Sequence, residues 1–393
     1  MNIERDLPTP EARELLALTR EIAGSELAPH AAVAEEKAEF PRAAFATLGR
    51  AGLLGLPYPS AYGGGDQPYE VYLQVVEELA RAWLTVGLGL SVHTLACYPV
   101  ATRGTEEQRE RLLPDLLGGE VLGAYCLSEP GSGSDAAALR TSARTDGDSY
   151  VVNGTKAWIT HAGAADFYTL MARTSGDPDG PGRASGITCL HVPAATPGVA
   201  AAEPEHKMGM TASPTAQMVF TDARVPAGDR IGAEGDGFGI AMSALDSGRL
   251  GIAACAVGVA QAALDAAVAH AVHRQQFGRA IADFQGIQFL LADMATAVEA
   301  ARALYLAAAR RRDAGRPFGT QAAMAKLTAS DAAMRVTTDA VQVLGGYGYV
   351  RDYPVERLMR EAKVLQIVEG TNQIQRLVIG RKVTASDKAD TGR

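Results

Sequence analysis

From Leu250 to Val268 the chain runs almost without interruption through alanine and larger apolar residues. A surface helix carries charge along one face, whereas this stretch lacks it on more than one, so the helix it predicts belongs at the centre of a bundle or against another subunit. The neighbouring sequence supplies partners. Ile287, Leu291, Met294, Val298 and Tyr305 step by threes and fours, and Met324, Leu327, Met334, Val341 and Leu344 do so less strictly, which predicts long amphipathic helices with these residues inward.

Helical periodicity also opens the chain. Leu15, Leu18, Ile22 and Leu27 predict one helix from Glu11 to about Glu36, with Pro10 where a first turn tolerates it. A turn-rich stretch, Pro57 to Pro68, precedes a second helical run from about Tyr69, with Val75, Val76 and Leu79 on one side. Between Val121 and Gly235 the texture changes: Tyr150-Val151-Val152, Ala157-Trp158-Ile159 and Met218-Val219-Phe220 alternate with turn residues, and Asn153-Gly154-Thr155-Lys156 reads as a hairpin turn. No helix-length segments separate these runs, so antiparallel strands are expected and a doubly wound nucleotide fold is disfavoured. The expected class is α+β and mostly α: a helical domain at 1–120, a β-barrel-like domain at 121–235 and a four-helix bundle at 236–393, with a frayed tail from Thr384.

Composition narrows the function. The 393 residues are 47% apolar and 21% charged, as in ordinary globular enzymes, and a net charge of -8 offers no basic footprint for nucleic acid. Cys97, Cys126, Cys189 and Cys255 are far apart, so reduced, buried thiols are expected, with no zinc site or disulfide framework. The charged start of the chain lacks a signal peptide's apolar stretch, and no run of transmembrane length is read; a cytoplasmic protein without membrane association is expected.

The segment Cys126-Leu127-Ser128-Glu129-Pro130-Gly131-Ser132-Gly133-Ser134-Asp135 gathers hydroxyls and glycines in one turn, which fits a planar ligand and equally an ordinary Ser/Gly turn. Gly131 to Ala136 formally matches G-x-G-x-x-A, but Pro130 precedes it and no strand-turn-helix surrounds it. Trp158 alone reads as core, and Gly345-Gly346-Tyr347-Gly348 as a helix stop with more glycine than a cap needs. His270 and His273 lack further ligands, so no metal is assigned. No G-x-S-x-G elbow supports a hydrolase.

Taken together, Cys126 to Ala138, Gln342 to Gly348 with Asp352, Arg357 and Glu361, and Ile367-Val368-Glu369-Gly370-Thr371 resemble the acyl-CoA dehydrogenase family over nearly the whole chain. Leu245 to Ile252 and Ala323-Met324-Ala325-Lys326-Leu327 resemble its short-chain and branched-chain members most. The resemblance implies FAD, with Tyr125, Leu127, Ser128, Trp158, Ile159 and Thr160 around the flavin and Thr371 and Gln373 in further contact. Ser134 is implied at both cofactor and CoA. Arg274, Phe277 and Gln285 are implied to reach the FAD of a neighbouring subunit, where Gln342, Gly345 and Gly346 meet its ADP part; a homo-oligomer, usually a tetramer, follows. Asp246, Arg249 and Gly370 are implied at the substrate, with Arg249 equally open to a structural role.

The implied reaction converts an acyl-CoA to its trans-2-enoyl-CoA, as in fatty acid β-oxidation. Glu369 takes the α-proton, the β-hydride goes to flavin N5, and an electron-transfer flavoprotein receives the electrons. Such a base needs a raised pKa, for which an apolar pocket including Ile367 and Val368 is expected, and the Glu369 N–H is implied as a donor to the thioester carbonyl. Some branched-chain members carry the base near the position of Gly248, which a glycine cannot serve. A flavin-dependent oxidase or monooxygenase on the same fold is the alternative. Thr211 stands where many relatives have arginine, leaving its local contacts open.

Overall fold

The computed structural model describes residues 5–390; the residues before Arg5 and after Asp390, where the charged start and the end of the tail were expected, lie outside it. Six α-helices come first: α1 (Pro10–Ile22), α2 (Ala28–Lys37), α3 (Arg42–Arg50), α4 (Tyr69–Ala82), α5 (Leu84–Arg103) and α6 (Glu106–Leu117). Thr9 caps α1 by accepting from the Ala12 N–H, and Thr105 with Gln108 closes a capping box on α6. The single helix expected from Glu11 to Glu36 is broken. A π-helical turn, Ala23–Leu27, separates α1 from α2, because Pro29 has no N–H for the regular ladder.

The middle unit holds β1 (Gly123–Cys126), β2 (Ser142–Asp146), β3 (Ser149–Thr160), β4 (Phe167–Arg173), β5 (Ile187–Pro193), β6 (Val199–Ala201), β7 (Thr215–Pro226) and β8 (Arg230–Ile231). They form one sheet in the order β6-β7-β3-β2-β4-β5-β8, with β1 also on β4. Most neighbours are antiparallel as expected, but β1 and β2 each pair with β4 in parallel. The Asn153–Lys156 segment is not a hairpin turn. It continues β3 through a bulge, since Gly154 at φ 150 lies so close to Thr141 that a Cβ would come within 2.5 Å of its Oγ1. The turn between β2 and β3 is made at Gly147, φ 65.

The chain then becomes helical again: α7 (Gly237–His273), a small hairpin of β9 (Gln275–Gln276) and β10 (Arg279–Ala280), then α8 (Gln285–Asp313), α9 (Gly319–Leu344), α10 (Pro354–Leu365) and α11 (Asn372–Asp390). Helix α7 packs against α4, α5, α8, α9 and α10, which is the first of the two positions expected of its apolar run. Thr384 onward continues α11 as helix to Asp390, against the frayed tail expected.

On α9 the buried stripe is mostly alanine, interrupted by Lys326, Ser330, Val336 and Thr337 and ending on Val343 and Leu344, the last of which is buried as expected. Ala322, Ala325, Ala329, Ala333 and Ala340 are fully enclosed, while Met324, Leu327, Met334 and Val341 are only half-buried. Small residues on both sides of the seam let α7 and α9 approach closely, so the larger side chains flank the contact.

Two helices, α5 and α7, are long and apolar enough to cross a membrane, with mean hydropathies of 1.4 and 1.8, which corrects the expectation of no such run. Both are mostly buried inside the protein, and their apolar surface is spent on its core. The four cysteines are free and buried, and burial pushes their thiols up.

Candidate active site

A cavity of about 440 Å³, of ligand size, opens where α5, the loop after β1, the end of β3, the first half of α7 and the turn before α11 converge. The loop after β1 is held there by a buried ion pair. Lys156 on β3 donates to Glu129 Oε1 at 2.8 Å and to the Leu127 carbonyl at 3.0 Å, and Glu129 also accepts from the Arg140 and Thr141 N–H groups. Burial would push Glu129 up, but Lys156 and these donors hold it below the usual carboxylate range. The Ala157 N–H then donates to the Ser128 carbonyl, so Leu127 and Ser128 lie beside Trp158 and Thr160 at one wall. A second irregularity in β3, between Lys156 and Ile159, puts Trp158 at φ 62 and leaves it 64% exposed at the rim. Non-glycine residues rarely adopt this conformation, and they cluster at functional sites.

Glu369, which lines the same cavity, repeats the pattern, at φ 55 and followed by Gly370 at φ 89. Its Oε2 is sealed from solvent and takes no hydrogen bond among the described residues. Burial pushes its carboxyl up to about 7, against the downward pull of Arg249 and Lys326. The Glu369 N–H likewise finds no backbone acceptor among the described residues. Room for the carboxyl comes from α7: a Cβ on Gly248 would lie 2.7 Å from Glu369 Oε2. The two places at which the family's base was considered are therefore one space, which a side chain from only one of them can fill.

The structure brings Tyr125, Leu127, Ser128, Ser134, Trp158, Ile159, Thr160, Arg249, Glu369, Gly370 and Thr371 to this one cavity. Asp246 does not line it. Its carboxylate accepts from Arg249 Nη1 at 2.5 Å and packs against Gly319, so it orients the arginine. Arg274, Phe277, Gln285, Gln342, Gly345, Gly346 and Gln373 also lie outside the cavity and are exposed in the single chain. Arg274 sits over the Tyr347 ring at 5.4 Å, which places the β9–β10 hairpin beside the Gly345–Tyr349 turn on one edge. Phe277, at the tip of that hairpin, is 93% exposed.

Sequence reasoning gave no role to Lys156, Lys326 or Gln375. The signal that could have marked Lys326 is its setting in a largely apolar stretch of α9, whereas Lys156 follows Asn153-Gly154-Thr155 and carries no such mark. Thr211, where many relatives have arginine, holds Glu35: its one hydroxyl proton lies within reach of both the Glu35 carbonyl and Glu35 Oε2, and the Ala212 N–H donates to the same carboxylate.

Comparison with known proteins agrees with the geometry. Family models described as the N-terminal, middle and C-terminal domains of acyl-CoA dehydrogenase match residues 9–120, 124–223 and 235–384. An acyl-CoA dehydrogenase of Bacillus subtilis is 47% identical over 374 residues, covering 95% of this chain and 98% of that protein. Butyryl-CoA dehydrogenase from Megasphaera elsdenii superposes with a TM-score of 0.93 at 42% identity, over 97% of this chain and 100% of that one. A chain from a structure described as the electron transferring flavoprotein of Acidaminococcus fermentans matches with the same score and identity, over 97% and 99%. With all three of its domains matched in order across a cavity built around Glu369, the chain belongs to the acyl-CoA dehydrogenase family.

Proposed function

We propose that this protein is an FAD-dependent dehydrogenase that converts a short acyl-CoA thioester to its trans-2-enoyl-CoA, with Glu369 removing the α-proton. The observation that carries this reading is a carboxyl without a hydrogen-bond partner on Oε2, raised to about 7, in the same cavity as Ser128, Trp158 and Thr160. The apolar walls and the few hydroxyls fit a flavin ring, which when bound supplies the hydride acceptor. Tyr125, Leu127, Ser128, Trp158 and Thr160 would hold the ring, and Ser134 would lie toward the CoA moiety. Glu369 takes the proton, and its free N–H donates to the thioester carbonyl as negative charge develops there. Arg249, held by Asp246, adds a positive charge close to the carboxylate.

An electron-transfer flavoprotein as electron acceptor is supported by the kind of assembly that the Acidaminococcus chain comes from. A homotetramer, in which Arg274, Phe277 and Gln285 face the cofactor of a neighbour held by Gln342, Gly345 and Gly346, is supported by the exposed edge they share. The decisive experiment is anaerobic titration of the yellow protein with acyl-CoA thioesters of increasing length. Stoichiometric bleaching of the flavin is expected; a flavin that stays oxidised with every thioester overturns the reading, and oxygen consumption at the rate of turnover would make the protein an oxidase.

Because the base acts ionised, kcat/KM should rise with pH through a midpoint of about 7, where an exposed glutamate would give a midpoint near 4.5. A pH–rate profile with no inflection between pH 6 and 8 would contradict this.

Chain length is set behind Gly248. A second, much smaller chamber of about 10 Å³, lined by Tyr58, Ser91, Thr94, Tyr98 and Arg312 among others, shares only Leu95 with the main cavity. Leu95→Ala should join the two and admit about two further methylenes; at roughly 0.8 kcal/mol each, kcat/KM for hexanoyl-CoA relative to butyryl-CoA should rise about tenfold. Kinetics with both substrates on both proteins measure it.

A further inference from the structure

Lys326 lies in the middle of α9, fully buried, on a helix whose enclosed face is otherwise small and mostly apolar. Its Nζ donates to the Gly370 carbonyl at 3.0 Å and to Asn372 Oδ1 at 2.8 Å. Both acceptors are neutral oxygens in the turn that follows Glu369. A second donor grips the same turn: Gln375 Nε2 donates to the Glu369 carbonyl at 3.1 Å and to the Gly370 carbonyl at 2.8 Å. Asn372 is in turn fixed by Ser330 Oγ at 2.9 Å and Asp331 Oδ1 at 2.7 Å, and Gln366 donates to the same Asp331 oxygen at 2.7 Å.

The turn needs such restraint. Glu369 and Gly370 are consecutive residues in the left-handed region, a conformation that persists only when its surroundings over-determine it. Burying an ammonium without a directly paired carboxylate is costly, and an apolar residue in its place would fill the seam without that cost.

We propose that Lys326 is a positioning residue for the dehydrogenation, its buried ammonium clamping the Gly370 carbonyl so that the Glu369 carboxylate is held toward the substrate while contributing positive charge beside it. This rests on Glu369 being the base. Burial brings Lys326 down to about 7, with Glu369 and Asp331 opposing, so its charge and that of Glu369 support one another. The other charged or titratable groups acting here are Arg249 on α7, Tyr69 on α4, Tyr125 on β1 and Arg376 on α11, the last paired with Asp331.

The test is steady-state kinetics of the flavin-loaded enzyme over pH 5.5–9 for Lys326→Met, with Lys326→Gln in parallel and Gln375→Leu as comparison. For both lysine variants kcat should fall about 10–100-fold with KM changed less than about threefold, and the acid limb of kcat should move about half a unit or more toward higher pH. Gln375→Leu loosens the turn but keeps the charge, so it should lower kcat without moving the limb. A lysine variant, either one, with the wild-type kcat and limb overturns the proposal, and an equal shift of the limb in Gln375→Leu removes the role of the charge. Glu369→Gln separates the two readings: if it retains turnover, the assignment of the base fails whatever Lys326 does, and if it is inactive the lysine variants judge Lys326 alone.

Discussion

Glu369→Gln yields a folded, yellow protein whose turnover is lower by about 10²–10⁴. Glutamine keeps the shape and volume of the side chain, and the walls of the cavity formed by Ser128, Trp158 and Thr160 do not depend on it, so the flavin absorbance should be retained. What is lost is the acceptor for the α-proton. The same variant should also be more stable at pH 8. The carboxyl holds its proton up to about 7 in the folded chain and to about 4.5 ordinarily, so its favourable contribution is present below 4.5 and is lost as pH rises through 7. Above that, the neutral amide avoids a cost on the order of 1–3 kcal/mol. Thermal melts of both proteins at pH 5 and pH 8 read the difference, which should appear only at the higher pH. A variant of unchanged turnover, or one that loses its colour, would contradict this account.

Gly248→Ala should reduce kcat by about 10²-fold while leaving the fold intact. The added methyl would sit 2.7 Å from Glu369 Oε2 and 3.1 Å from its Cδ, and the carboxyl is the far end of a flexible side chain, so it can swing aside at small cost in stability. Alanine within α7 also favours the helix by about 0.5–1 kcal/mol, which offsets the crowding. Catalysis has no such tolerance, since a displacement of about 1 Å from the reacting position costs on the order of 10²-fold. An unchanged melting temperature with a collapsed kcat is the expected pair of results, and an alanine variant with full activity would show that Glu369 works from elsewhere.

Much of the architecture was legible because periodicity reports burial. The run from Leu250 to Val268 had to lie at the centre of a bundle or against another subunit, and in this chain it is central. Periodicity misled where the buried stripe is made of the smallest residues: on α9 the eye follows Met324, Leu327 and Met334, while packing follows the alanines. Asn153-Gly154 looked like a turn because glycine marks any unusual backbone, and here the unusual backbone is a bulge forced by the closeness of Thr141. At the cavity, the family resemblance named residues beside strained or glycine-rich turns and Arg249 on α7, while Lys326 and Gln375, which hold the turn after Glu369, were given no role. Lys326 lies far from Glu369 in the chain, and a lysine in a helix ordinarily points to solvent. Gly248 could be read as unable to serve as a base, but that its missing side chain is the space Glu369 occupies is a matter of three-dimensional distance.

The alanine seam between α7 and α9 limits how this chain can change over generations. A seam of leucines can drift by truncation and regrowth, each step leaving a hole that later steps refill. Along Ala322, Ala325, Ala329 and Ala333 there is almost nothing to truncate, and nearly every available replacement is an enlargement costing about 1–3 kcal/mol. Diversification toward other acyl chains is thereby channelled to the cavity wall of α5, at Leu88, Val92 and Leu95, where side chains can shrink as well as grow.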